Sequence, residues 1–314
     1  MSSSIDVEEK AQQLHNILTQ SKNKEEDMIA FDLTLDRDQR LSVRRKYEEM
    51  FTERPLIEDF KKYLSRDFKD LNIKLYMGRA ELDAYQLQRC MNFFTKDPGT
   101  VYEIALARPA WLKNQMKDVF LQVTGNDLEK ELESFAPSAV KKPLMTAFRS
   151  ERKGKKIADH DKCQKDALKL ASTKVENWIT TDEIINGIFL ESSPEELVLT
   201  SRYFFKKSGS TILESVDSLN SAQKKFFEAL LYNVINPPEL FARRMYEAVK
   251  GLGTDTNLLE RIVASRYDLD MFIIKKYYYQ FYKVALKEDL AADISGNYLK
   301  LVESLINLQS PEDY

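Results

Sequence analysis

The chain has 314 residues, enough for two or more domains or one repeat array with a sizeable core. Charged residues make up 31% of it but leave a formal net charge of only −3. That balance excludes general electrostatic attraction to DNA or to anionic lipid, so binding to an acidic membrane requires a local basic patch or a bridging cation.

Glycine and proline are scarce, at nine each, which argues for long helices over many tight hairpins. Cys90 and Cys163 lack CxxC spacing and suggest a reducing compartment with no disulfide framework. MSSSIDVEEK has no apolar core for a signal peptide, and Ser2 after Met1 excludes N-myristoylation. No apolar run approaches the roughly eighteen residues that span a bilayer.

In chain order, NKEEDMI (23–29) reads as the first helix start, with Asn23 and Glu26 in capping-box spacing. Phe68, Leu71, Asn72, Leu75 and Tyr76 then fall at i, i+3, i+4, i+7 and i+8, one helical face. DPGTVYEI (97–104) is a second start, with Asp97 as N-cap and Pro98 at the first helical position. Val140, Pro143, Leu144, Ala147 and Phe148 give a weaker apolar face, on which Pro143 is tolerable only in a first turn. RSERKGKKIADHDK (149–162) reads as a basic linker; Arg149, Arg152, Lys153, Lys155 and Lys156 are either a contact for acidic lipid or a filament, or a solvated charge run. TTDEIING (180–187) is the third start, with Thr180 and Glu183 in capping-box spacing, and Phe227, Leu230, Leu231, Val234 and Ile235 form the next apolar face. TDTNLLERI (254–262) is the fourth, capped by Thr254 with Asp255 favourable to the dipole. Ile274, Tyr277, Tyr278 and Phe281 share a core face that leaves Tyr279 outward, and Tyr298, Leu301, Val302, Leu305 and Ile306 close the series.

The four apolar faces begin at Phe68, Val140, Phe227 and Tyr298, in steps of 72, 87 and 71 residues. A period near 70 is longer than common solenoid repeats, so each unit must hold several helices.

The most specific feature is KGLGTD (250–255), with Asp293 forty positions after Gly253. Calcium takes six to eight oxygens, many of them carbonyls, and glycine allows backbone conformations that turn carbonyls inward. The loop can offer the carbonyls of Val249, Gly251 and Gly253, and Asp293 a bidentate carboxylate, about five oxygens; water or a lipid head group must complete the shell. A dinucleotide loop needs glycine where Thr256 stands, a P-loop needs Gly-Lys-Ser/Thr, and LDRDQRLSVRRKY puts Leu41 and Tyr47 at the sixth and twelfth EF-hand positions. A plain helix-capping turn without an ion remains open on the loop alone. Catalysis finds no constellation: His15 and His160 are the only histidines and lack metal-ligand spacing, and no Gly-x-Ser-x-Gly elbow occurs.

These residues resemble the annexin family. MYEAVKGLGTDTNLLERIVASR and DLAADISGNYLKLV are similar to annexin repeat sequence, and LDAYQLQRCM with ALAR at 105–108 is similar to a second repeat. The resemblance covers nearly the whole chain and implies an all-α fold of four repeats of five helices in a curved disc, with calcium loops on the convex, membrane-facing side. It implies repeats at 5–77, 79–149, 163–236 and 237–309, with a linker at 150–162. Calcium, acidic phospholipid and the ligands Val249, Gly251, Gly253 and Asp293 follow from it, with Leu252 and Trp178 as membrane contacts and Phe93 and Phe94 able to act likewise; the other reading of these three aromatics is packing under loops rearranged after the loss of their glycines. Asp83 and Arg108 match a polar pair that faces the annexin central channel, where it acts as a structural element.

The departures are large. The first loop reads TQSKNK (19–24), with the acidic position near Lys62 or Tyr63; the second MNFFTKD (91–97), with Phe135; the third ENWITTD (176–182), with Leu219. Even in the fourth, Thr256 replaces an acidic residue that can serve an auxiliary ion. Such losses resemble the divergent protist annexins called alpha-giardins. The expected function is calcium-dependent binding to acidic membranes; the alternative is a scaffold on cytoskeletal filaments or on copies of itself, with vestigial calcium binding. No enzyme activity, nucleic-acid partner or signal-directed secretion is expected, and the expected place is the cytoplasm, on the inner face of the plasma membrane or on cytoskeleton.

Overall fold

The computed structural model describes residues 5–52, 54–152, 154, 157–251 and 253–308. These residues form twenty α-helices and no strand, the all-α architecture that the recurring apolar faces predict. The chain divides into two compact units, one built from residues up to Leu82 together with those from Phe241, the other Asp83–Leu240.

In the first unit, the helices Arg66–Leu75 and Gly296–Ile306 both pack on Thr256–Arg266. Leu71, Leu75, Leu301, Val302, Leu305 and Ile306 are completely buried, and so are Leu259, Ile262 and Val263. The i, i+3, i+4 spacing puts these side chains on one face, and burial of each contributes about 1.5–3 kcal/mol. The core also encloses charge. Arg40 donates to the Asp32 carbonyl and to the Tyr267 hydroxyl, both at 2.5 Å, and Tyr76 donates to the Asp32 carboxylate at 2.9 Å. Loss of water pushes the Asp32 carboxyl up to about 6, although Arg40 pulls it down. Lys74 and Glu260 form a second buried ion pair. There too desolvation dominates, and the Glu260 carboxyl rises to about 7.

The second unit is held by aromatic packing. Phe189, Phe226 and Phe227 are fully buried, and Phe189 meets Phe227 edge-on with ring centroids 5.1 Å apart. Pro143 lies inside the helix Ser138–Arg149 and not in its first turn, against expectation. Proline there removes the bond to the carbonyl four residues earlier; that residue, Ala139, is exposed, so water can satisfy it. The C-terminal end of the same helix is closed from outside: the Lys113 ammonium donates to the carbonyls of Ala147 at 2.7 Å and Ser150 at 3.3 Å.

Helix starts follow the expected places but not always the expected caps. Asp97 accepts from Thr100 N at 3.2 Å ahead of Pro98, as the sequence predicts. Asn23 makes no side-chain cap bond. Thr180 precedes the true boundary residue Thr181, and after Asp182–Ile184 the chain widens into a π-helix, Ile185–Leu190. Arg152 of the linker donates to the carbonyls of Phe189 and Ser192 at 2.7 and 2.8 Å, so it tethers the end of that π-helix and is no solvated charge. Arg149 pairs with Glu129 at 2.7 Å; Lys153, Lys155 and Lys156 lie outside the described residues. In the fourth case Asp255 is the cap, accepting from Leu258 N at 3.0 Å, because the Thr254 hydroxyl is engaged elsewhere.

A candidate calcium loop and its altered counterparts

The helix Pro237–Val249 ends at the candidate loop, and Thr256–Arg266 begins beyond it. The loop is pinned at its base by a hydrogen bond from Asp255 N to the Ala248 carbonyl at 2.7 Å. Gly253 has φ +89°, a conformation that side-chain-bearing residues rarely adopt. At Gly251 a Cβ would meet the Gly253 carbonyl oxygen at 3.3 Å, so glycine leaves that carbonyl its room. Val249 is buried at the helix end, while Gly251 and Gly253 are exposed; Leu252 lies outside the described residues.

Asp293 ends the helix Leu286–Asp293 and is exposed. The Thr254 hydroxyl donates to its Oδ2 at 3.3 Å, so the carboxylate stands against the loop despite 39 residues of separation. The nearby lysine is directed elsewhere. Lys250 donates to Asp289 at 2.7 Å, and Tyr278 donates to the other oxygen of Asp289 at 2.6 Å. That hydrogen bond holds the Lys250 ammonium above its ordinary range. The backbone carbonyls of a glycine turn and one exposed carboxylate beside it are hard oxygen donors of the kind calcium takes. Among the described residues no three His, Cys, Asp or Glu side chains cluster as metal ligands, so the backbone must supply most of any shell.

The same frame recurs without the ligands. The helices Leu56–Tyr63, Leu128–Phe135 and Leu286–Asp293 each have eight residues and end in Tyr63, Phe135 and Asp293. The corresponding helix Ile212–Val216 stops after five, and its eighth position is the buried Leu219. In the first unit Tyr47 donates to Asp59 at 2.7 Å, four residues before Tyr63, as Tyr278 donates to Asp289, four before Asp293. That register selects Tyr63 over Lys62 as the altered ligand position. The connecting loops also differ: 21–23, 92–97, 173–181 and 250–255 have three, six, nine and six residues.

The second loop keeps the length and the closure of the fourth, with Asp97 N bonded to the Cys90 carbonyl at 3.0 Å. Its Lys96 ammonium sits 5.1 Å from the centre of the Phe135 ring, a cation–π contact where the fourth repeat has a carboxylate. Phe93 and Phe94 project outward, 86% and 90% exposed.

The expectation for Trp178 is corrected. It is 1% exposed and packs against Phe189, Phe204 and Phe227, and its indole N–H donates to the carbonyls of Thr173 at 3.1 Å and Leu170 at 3.3 Å. The long third loop folds the indole back into the core, where its one polar atom is satisfied. The Asp83–Arg108 pair forms as expected, with two hydrogen bonds of 2.6 and 2.9 Å. Burial works against the guanidinium charge, but Asp83 outweighs it and holds Arg108 above its ordinary range. The Tyr278–Asp289–Lys250 chain escapes the sequence reading, although the recurring pairs Tyr47/Asp59 and Tyr278/Asp289 show when the helices Leu56–Tyr63 and Leu286–Asp293 are aligned.

The described residues form an all-helical repeat protein in which a glycine loop stands beside an exposed carboxylate. The annexin family profile matches residues 240–305, the segment that carries it. Human annexin A7 is 26% identical over 270 residues, covering 86% of this chain and 55% of its own length; the chain thus spans about half of that relative. Human annexin A13 is 25% identical over 304 residues, 96% of each chain. The solved structure of annexin III superposes with a TM-score of 0.88 at 23% identity, covering 97% of this chain and 95% of its own. Calcium-bound alpha-14 giardin shares the fold with a TM-score of 0.77 at 20% identity, covering 95% and 99%. The chain is thus similar to annexins over nearly its whole length, and the family profile itself falls on residues 240–305. Annexins are known for calcium-dependent phospholipid binding and are generally non-enzymatic. Among the described residues no helix is long and apolar enough to cross a membrane.

Proposed function

We propose that this protein binds acidic phospholipid membranes when calcium rises, through one calcium ion in its fourth repeat. The carbonyls of Val249, Gly251 and Gly253 and the carboxylate of Asp293 hold the ion. A lipid phosphate or water completes the shell, and Leu252 touches the interface. The observation that carries this reading is the contact between Thr254 and Asp293 across a glycine turn. Calcium-bound structures among the relatives of similar fold support calcium as the ion. Phe93 and Phe94 add a contact that needs no ion, since aromatic rings favour the membrane interface. The same reading divides the chain into repeats at 5–77, 79–149, 163–236 and 237–309, with residues 150–162 as linker, and puts the protein on the inner face of the plasma membrane or on cytoskeleton.

Co-sedimentation with phosphatidylserine vesicles across a calcium titration tests it, with Asp293→Ala alongside. Pelleting that depends on calcium and is lost in the variant is expected; equal pelleting of variant and parent overturns the site.

A second reading is favoured by the three altered loops: the annexin fold as a scaffold for cytoskeletal filaments or for its own copies. Co-sedimentation with polymerised tubulin or actin in chelator, and sedimentation velocity of the protein alone, test it. Absence from every filament pellet together with a monomeric protein ends that reading.

A further inference from the structure

The second unit contains an open cleft of about 650 Å³, within the range of small-ligand sites. It shares no residue with the loops described above. The helices Pro194–Ser208, Ile212–Val216 and Ser221–Ile235 supply its walls, and His160, first residue of the helix His160–Ser172, stands at its edge. The walls are mostly apolar, with Leu199, Leu213 and Leu231 among them. Two more lining residues, Phe205 and Ile235, are left 51% and 38% exposed, an arrangement that costs free energy unless something covers them.

The charged side chains Arg202 and Lys206 share one sign. They line the cleft one helical turn apart, and among the described residues no carboxylate lines it. Among the described residues neither cation is recorded in an ion pair; Lys206 rests 5.9 Å from the centre of the Tyr203 ring. The Tyr203 hydroxyl in turn lies 3.0 Å from His160 Nδ1. An apolar trough edged by two uncompensated cations and a hydroxyl complements a molecule with a long hydrocarbon part and one anionic head.

We infer that this cleft binds a single-chain anionic amphiphile, with the acyl chain along Leu199, Leu213 and Leu231 and the head group at Arg202 and Lys206. A carboxylate and a phosphate head both fit that chemistry. The inference is independent of calcium and stands whether or not the protein binds membranes.

Isothermal titration of the full chain in chelator tests it, below the critical micelle concentration of each probe. The probes are palmitate, palmitoyl lysophosphatidic acid and, as the neutral control, methyl palmitate. Two variants accompany the parent: Arg202→Glu with Lys206→Glu, which reverses exposed charges, and Leu199→Trp, which fills the trough at a half-exposed position. Unchanged helical circular dichroism confirms folding of each. Saturable one-to-one binding of palmitate or of the lysophosphatidic acid is expected, weakened about tenfold or more by the double charge reversal and by the filling variant. The tighter of the two anionic probes identifies the head group. No saturable binding of either, affinity unmoved in both variants, or methyl palmitate binding as tightly as palmitate overturns the inference.

Discussion

The hydroxyl of Thr254 lies 3.3 Å from the carboxylate of Asp293, and this contact joins two helix ends that the chain separates by 39 residues. Asp293 is exposed and among the described residues makes no other side-chain hydrogen bond, so its removal tests ligation with little effect on the fold. Asp293→Ala is expected to abolish calcium-dependent pelleting on phosphatidylserine vesicles while changing unfolding free energy by no more than about 0.5 kcal/mol, as read by urea denaturation in chelator. A large loss of stability would assign the residue to the fold instead.

Gly253→Ala acts through the backbone. At φ +89° an added Cβ is strained although nothing crowds it, at a cost of roughly 1–2 kcal/mol. The turn relieves that strain by rotating the Gly253 carbonyl. Calcium titration of vesicle binding is expected to shift to higher calcium, with a smaller loss of thermal stability than a core substitution gives.

Phe93→Ser with Phe94→Ser removes two exposed rings whose ring contact is with each other. Partial insertion of each ring contributes on the order of 1 kcal/mol, so vesicle affinity is expected to fall about tenfold or more, in calcium and in chelator alike, with no change in melting temperature. Identical vesicle binding by variant and parent would remove these residues from the interface.

Trp178 belongs to the core, and Trp178→Ala is expected to cost about 3–5 kcal/mol. In a Trp111→Phe background its emission reports its surroundings alone, since the chain has two tryptophans. That emission is expected to stay blue and unquenched by brominated lipid with or without calcium. Calcium-dependent quenching would mean that the third loop opens on the membrane.

The buried pair Lys74–Glu260 gives a pH dependence with a definite sign. Burial raises the Glu260 carboxyl from 4.5 to about 7 in the folded protein. The folded state therefore binds this proton more tightly than the unfolded chain does, and the contribution of this group to stability falls as pH rises from about 4.5 to 7. Urea denaturation at pH 5, 6 and 7.5 is expected to show a slope that Glu260→Gln flattens, by an amount of roughly 1–3 kcal/mol across the window. An identical slope in the variant would assign the dependence to other groups, with Asp32 the next to test.

What could be read from sequence depended on how narrowly physics restricts a residue type. Few residues other than glycine adopt the backbone of Gly253, so the glycine turn was legible, whereas Asp293 was placed beside it by family resemblance and not by spacing. The apolar faces ending in Ile306 were legible because 3.6-residue periodicity has little other cause. Trp178 was not, since an indole suits a buried core and a membrane interface equally, and only the path of the nine-residue loop decides. The caps slipped by one residue at Thr254 and Thr180 because Ser, Thr, Asp and Asn are near-equivalent caps, and the competitor Asp293 lies far away in sequence. Lys96 over Phe135 depends on two loops meeting, which no local pattern records.

The eighth residue of one short helix is Tyr63, Phe135, Leu219 or Asp293 in the four repeats, and only the last can take an ion by its side chain. Several equivalent sites acting together would respond to calcium sharply, with a Hill coefficient above one. A single carboxylate leaves nothing for a second ion to reinforce. For the single site proposed above, the response to rising calcium is hyperbolic, spread over roughly two decades of concentration, that of a dimmer and not of a switch.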